Sequence, residues 1–196
     1  TEIMNNVLKV IPFIASVAMP LIAFSAAYPV SSGDIADNGP GGWNGTMPGK
    51  AETAVFNIAG GTYTASSDVE FGSVRASGNS VFNLSTSGNH TVKAANFNIG
   101  YYNRSATLNG GVWDMSGTVS GEDLPLGSFA ACNQSGTYNT VLTLAKSCVV
   151  TNVETLRLAY NSDRNTMKIT DSSKVYSEAV VLCNNSGSVN GMLEVS

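Results

Sequence analysis

The feature that most narrows what this chain can fold into is a recurrence. The segment Val55-Phe56-Asn57-Ile58 returns as Val81-Phe82-Asn83-Leu84, Thr107-Leu108-Asn109, Val141-Leu142-Thr143-Leu144, Met167-Lys168-Ile169 and Leu193-Glu194-Val195. Anchored on Phe56, Phe82, Leu108, Leu142, Met167 and Leu193, the steps are 26, 26, 34, 25 and 26 residues. A second ladder runs between them: Val69-Glu70-Phe71-Gly72, Phe97-Asn98-Ile99-Gly100, Leu124-Pro125-Leu126-Gly127, Leu156-Arg157-Leu158-Ala159 and Val180-Val181-Leu182-Cys183. Its steps, taken from Phe71 through Ile99, Leu126 and Leu158 to Leu182, are 28, 27, 32 and 24 residues. Both ladders lengthen in the interval 116–138, as one repeat bearing an insertion requires. Periods of about 20–50 residues mark arrays whose units bury their apolar faces only by stacking.

Apolar residues two apart point to one side of a strand, and the residue between them points to the other. Phe56, Ile58, Phe82, Leu84, Leu142, Leu144, Met167 and Ile169 are therefore expected to face inward. Asn57, Asn83, Asn109, Thr143, Lys168 and Glu194 should form an outward column. Stacked Asn side chains can hydrogen-bond from one repeat to the next, and Lys168 beneath Glu194 makes a cross-strand charge pair. Gly60-Gly61, Gly110-Gly111, Ser162-Asp163 and Ser186-Gly187 supply turn chemistry between the apolar pairs. The expected fold is all-β, a parallel β-helix of about six coils with a period of about 26 residues. An antiparallel sandwich, the competing all-β architecture, offers no reason for two ladders to keep one phase.

Composition agrees with that class. Charged residues are 12% of the chain, about half of the ordinary share of roughly 25%. Gly, Ser, Thr and Asn take their place, which suits turns and uncharged strand faces better than amphipathic helices. A net charge of −4 leaves no basic footprint for nucleic acid or an anionic membrane surface.

Residues 1–27 read as a signal peptide forming an N-terminal signal helix. Lys9 precedes an apolar run over 10–24 that closes on Ser25, Ala26 and Ala27, with Tyr28 as the first mature residue. The run is shorter than the roughly 20 residues of a spanning helix, and Pro12 and Pro20 interrupt it. Residues 28–52 are rich in Gly and Pro and read as a linker or cap, with Trp43 placed to cover the first open end. Residues 53–196 hold the repeats and read as truncated within the last one, so that repeat should expose its edge and its inner residues. Cys132, Cys148 and Cys183 form no C-x-x-C pair, which argues against a metal site. The repeat register keeps Cys132 and Cys183 about 9–10 Å apart, too far for a disulfide. Cys148 should be buried as a small hydrophobe.

The segments Ala54-Val55-Phe56-Asn57-Ile58-Ala59-Gly60-Gly61-Thr62 and Phe97-Asn98-Ile99-Gly100 resemble the units of bacterial autotransporter-associated β-strand repeats. Those units also occur in exported proteins with a C-terminal sorting signal. The resemblance covers about 53–196. It implies a right-handed parallel β-helix passenger displayed on a bacterial surface. The chain carries no membrane β-barrel, sorting motif or terminal apolar helix.

Candidate site residues are few. His90 is the one histidine, in the turn Ser87-Gly88-Asn89-His90-Thr91 without a G-x-S-x-G partner, and is expected as an exposed turn residue. Asp68 and Glu70 alternate with apolar neighbours and should sit below Asn96 and Asn98, then Asp123 and Pro125, with Lys93 and Arg75 nearby. That patch suggests either a solvated strand face or the acid–base groups of a polysaccharide lyase or glycosidase. A weak Ca²⁺ site would need six to eight oxygens there. Tyr101 and Tyr102, beside Asn103 and Arg104, could stack on a sugar. Asn44-Gly45-Thr46 and Asn103-Arg104-Ser105 are glycosylation acceptors only in a host that uses them.

No residue is assigned as catalytic, no cofactor or metal is expected, and the binding residues stay unassigned. The leading expectation is an exported structural or adhesive protein, at the cell surface or secreted. An extracellular glycan or another surface protein is its expected partner. Membrane contact is expected only through the N-terminal segment before cleavage or an anchor beyond Ser196. The alternative is a carbohydrate-active β-helix enzyme, which requires two carboxylates about 5–10 Å apart in a cleft.

Overall fold

The computed structural model describes residues 25–38, 42–85, 88–99, 103–121, 124–131, 139–158, 164–182 and 190–196. The proposed signal helix over 1–24 lies outside them. So do Tyr101, Tyr102, Asp123, Cys132 and Cys183. Among the described residues the protein is all-β, without helix, and every pairing between its seventeen strands is parallel. This excludes the antiparallel sandwich.

The strands are numbered in chain order and lie in two curled sheets. The seven-stranded sheet runs β17 (Met192–Val195), β15 (Thr166–Ile169), β13 (Val141–Ala145), β10 (Ser105–Asn109), β7 (Ser80–Asn83), β4 (Thr62–Thr64) and β2 (Gly33–Asp34). The ten-stranded sheet is bent around its longest strand, β14 (Val149–Leu158). The last part of β14 pairs with β12 (Ser128–Ala131), followed by β9 (Asn96–Ile99), β6 (Ser73–Ala76), β3 (Thr53–Phe56) and β1 (Ala26–Ala27). Its first part pairs with β11 (Val112–Asp114), followed by β8 (Thr91–Lys93) and β5 (Val69–Glu70). Strand β16 (Lys174–Leu182) lies along both parts, with a bulge between Val150 and Val153 of β14.

Three inward columns result. The first is Tyr63, Phe82, Leu108, Leu144, Ile169 and Val195. The second stacks Ala54, Val74, Phe97, Phe129, Leu156 and Val180. The third, which the sequence reading missed, is Val69, Val92, Trp113, Val150 and Val175. They merge into one core whose first half is aromatic. Ring contacts run from Trp43 to Phe56 (5.5 Å), Phe82 (4.9 Å), Trp113 (5.2 Å), Phe97 (5.4 Å) and Phe129 (5.0 Å). All but the last are edge-on, the arrangement that ring quadrupoles favour. Beyond Phe129 the core is aliphatic.

Several expected positions need correction. Phe56 leaves the first ladder and faces Ala76 in the larger sheet, while Tyr63 takes its place. Leu108 stands opposite Leu144, not Leu142. Phe71 and Leu126 are not members of the second ladder. Val74 with Ala76, and Phe129 with Ala131, fill those levels, and Leu126 is 41% exposed. Ile58 is half-buried rather than inward. Most of the other expected inward residues are almost wholly buried, Ile169 least so at 9%. Asn57 lies off the Asn column, but Asn109 Nδ2 donates to Asn83 Oδ1 at 2.8 Å. Thr143, Lys168 and Glu194 continue from Thr107 instead. Lys168 Nζ meets Glu194 Oε2 at 2.9 Å.

The corners repeat as faithfully as the strands. Asn103, Asn139, Arg164 and Asn190 each lie two residues before a strand with φ of 53°, 55°, 53° and 58°. Asn suits this left-handed region because its short amide bonds locally, and Asn139 Nδ2 donates to Asn103 Oδ1 at 3.1 Å. Gly110-Gly111, Lys146-Ser147 and Asp171-Ser172 make the next corner, all with positive φ. Gly111 is needed twice over, since a Cβ there would strike the Leu84 side chain and the His90 carbonyl.

Candidate functional site

The acidic patch comes together differently from its expected form. Val69 and Glu70 stand beside Val92 and Lys93, so the neighbours of Asp68 and Glu70 come from β8 and not from Asn96 and Asn98. Glu70 Oε2 meets Lys50 Nζ at 2.7 Å and its Oε1 meets Lys93 Nζ at 3.5 Å. The Lys50 contact, reinforced by Lys93 and opposed by partial desolvation, holds the Glu70 carboxyl below its ordinary value. Asp68 Oδ1 accepts from the Thr91 amide at 2.8 Å and lies 3.7 Å from His90 Nδ1. His90 is thus half-buried against a carboxylate, not an exposed turn residue. Arg75 belongs to β6, in register with Asn98 on another face. These residues divide into separate structural contacts and do not converge.

Cys148 is fully buried, and desolvation pushes its thiol up to about 12. It packs as a protonated small hydrophobe. Among the described residues, no three His, Cys, Asp or Glu side chains gather where they could hold a metal ion.

The insertion builds what the ladders alone could not show. Residues 115–121 fold back across the outer side of the larger sheet. Thr53 Oγ1 donates to the Gly121 carbonyl at 2.6 Å, the Gly121 amide donates to Ser73 Oγ at 2.9 Å, and Asn96 Nδ2 donates to Ser120 Oγ at 2.7 Å. Thr53, Ser73 and Asn96 are consequently buried although they point away from the core. Alternation alone would have left them in water.

Where the insertion meets the bulge of β14 there is a groove of about 590 Å³. Leu126 lies on one side and Asn152, Glu154, Tyr176 and Glu178 on the other. Asn152 has φ of 56° at the bulge, and bulges commonly re-aim side chains beside functional surfaces. Its Nδ2 donates to Asp114 Oδ1 at 2.7 Å, and the same oxygen accepts from the Ser116 amide at 3.0 Å. Partial burial alone would raise the Asp114 carboxyl, but these hydrogen bonds outweigh it and hold the group below its ordinary value. Tyr176 is 56% exposed.

Val153 faces Ser177 and Thr155 faces Ala179, so Glu154 and Glu178 stand side by side, about one strand spacing of 4.8 Å apart. Both are exposed and belong to one sheet face. A glycosidase pair approaches a bond from two sides, with one acid usually desolvated. Two carboxylates pointing the same way into water lack that geometry. The sequence reading missed this groove because it depends on the bulge and on where the insertion folds back. Set against known protein families, curated proteins and solved structures, the chain matches none.

Proposed function

We propose that the two curled sheets are the faces of a right-handed parallel β-helix, and that this helix is a rigid stalk in an exported structural or adhesive protein. The observation that carries this reading is the parallel register. Each of the three columns pairs with its own counterpart in the next repeat, which favours a rod growing about 4.8 Å per repeat over a closed globule. Seven strands in one column span roughly 30 Å by that spacing. A sparsely charged surface and asparagine corners suit a load-bearing element held by backbone pairing. The insertion around 115–127, with its groove, is the natural place for contact with a glycan or another surface protein, because loops carry recognition on rigid scaffolds.

The test has two arms. Solution scattering of the chain should give an elongated envelope, and a reporter enzyme fused after residue 52 should leave the cytoplasm of a bacterial host. A compact isotropic envelope would sink the β-helix reading. A reporter retained inside the cell would sink export and leave the helix untouched.

A further inference from the structure

The last described strands end with their interior open. Val180 and Leu182 of β16 are 51% and 48% exposed, and Leu193 and Val195 of β17 are 37% and 72% exposed. Their partners one level back, Leu156, Leu158, Met167 and Ile169, are 3%, 0%, 0% and 9% exposed. The same columns therefore pass from core to surface in one step. Strand β17 is also the terminal member of its sheet, bonded on one side to β15 only. An edge with unpaired amides and carbonyls, flanked by exposed apolar side chains, is a template for a further strand.

The column on its outer face states what that strand must carry. Thr107, Thr143, Lys168 and Glu194 follow one another in register. Glu194 is paired with Lys168 below it at 2.9 Å, yet its side chain keeps 44% exposure. A residue placed directly over Glu194 would stand one strand spacing away, where an opposite charge helps and a like charge opposes pairing. The residues on either side of it would cover Leu193 and Val195 and must be apolar.

We infer that the β17 edge binds an extended partner segment in which a Lys or Arg sits between two apolar residues, added in parallel as the next strand of the sheet. The chain already contains this pattern as Met167-Lys168-Ile169, which occupies the equivalent place on the other side of β17. The inference rests on the open edge alone and is independent of export or adhesion.

A capped synthetic peptide copying residues 165–170 is the probe, titrated into the full isotope-labelled chain and followed by amide NMR shifts. Shifts confined to residues 180–182 and 190–196 are expected. Replacing the peptide's lysine by glutamate should weaken binding at least about fivefold, the scale of one favourable cross-strand pair exchanged for an unfavourable one. Val195→Asp, at an exposed position that folding does not need, should abolish the shifts. The inference is overturned if the two peptides bind equally, if neither binds, or if Val195→Asp changes nothing. It is also overturned if ultracentrifugation shows two copies of the chain joined through this edge and the peptide unable to displace them.

Discussion

The two ends of the stack meet the same problem with opposite outcomes. At the N-terminal end, the chain from Pro29 to Trp43 folds across the first repeat and bridges to itself through those two residues. Trp43 is 2% exposed, lies edge-on to Phe56 and Phe71, and donates its indole N–H to the Ile35 carbonyl at 3.3 Å. At the other end Val195, in the column that runs back through Leu144 to Phe82, is 72% exposed. An interior repeat is stabilised by a neighbour on each side, whereas a terminal one has a neighbour on one side only. The comparison teaches that the column pattern does not itself close an end. Closure takes a segment outside the repeat, with a side chain large enough to cover several columns at once.

The strongest way to break the comparison is to open the closed end. Trp43→Ala should cost about 3–5 kcal/mol, as for other buried Trp truncations, read from urea unfolding midpoints. A loss below about 1 kcal/mol would show that Trp43 merely rests on the stack.

A second experiment uses one column at two levels. Leu144→Ala should cost about 2–5 kcal/mol, whereas Val195→Ala, two levels on, should stay within about 0.5 kcal/mol. Equal losses would mean that Val195 is covered in solution.

Acid should distinguish the ends less strongly. Glu70 is held below its ordinary value near the closed end. A carboxyl with a lowered folded value contributes stability that is fully present above its unfolded value and is lost as pH falls through the folded one. The gap in urea midpoint between wild type and Glu70→Gln should therefore close between about pH 5 and pH 3. A gap that widens in acid would contradict the Lys50 and Lys93 pairing.

The smallest effect belongs to the open end. Lys168 and Glu194 are both exposed by more than a third, so Lys168→Met should change stability by less than about 1 kcal/mol, and less still in high salt. A larger, salt-independent loss would mean that this pair is shielded by something bound over β17.

Much of the fold was legible because a strand's side chains alternate with period two. That is why Phe82, Leu108, Leu144 and Met167 were correctly placed inside. The same rule explains the errors. Sliding Leu108 from Leu142 to Leu144 shifts the register by two and changes no side chain's face, so alternation cannot detect it. Phe56 and Tyr63 are both inward aromatics, and only pairing decides which of them continues to Phe82. The third column escaped because Val92 and Trp113 stand as single apolar residues in three-residue strands. The candidate patch failed for a related reason. Asp68 and Glu70 were assigned neighbours by ladder, and the register sent Asn96 and Asn98 to a different face.

By itself, then, the sequence determined that the chain repeats, that the repeats are strands, and which residues of most strands face inward. These follow from local periodicity, which each segment carries without reference to any other. Tertiary structure alone decided the partner of each strand, the burial of Thr53, Ser73 and Asn96 beneath the insertion, and the groove at the Asn152 bulge. It also decided that one end is covered and the other open. Each of these depends on contacts between residues tens of positions apart, where loop lengths and packing choose among registers that periodicity leaves equivalent.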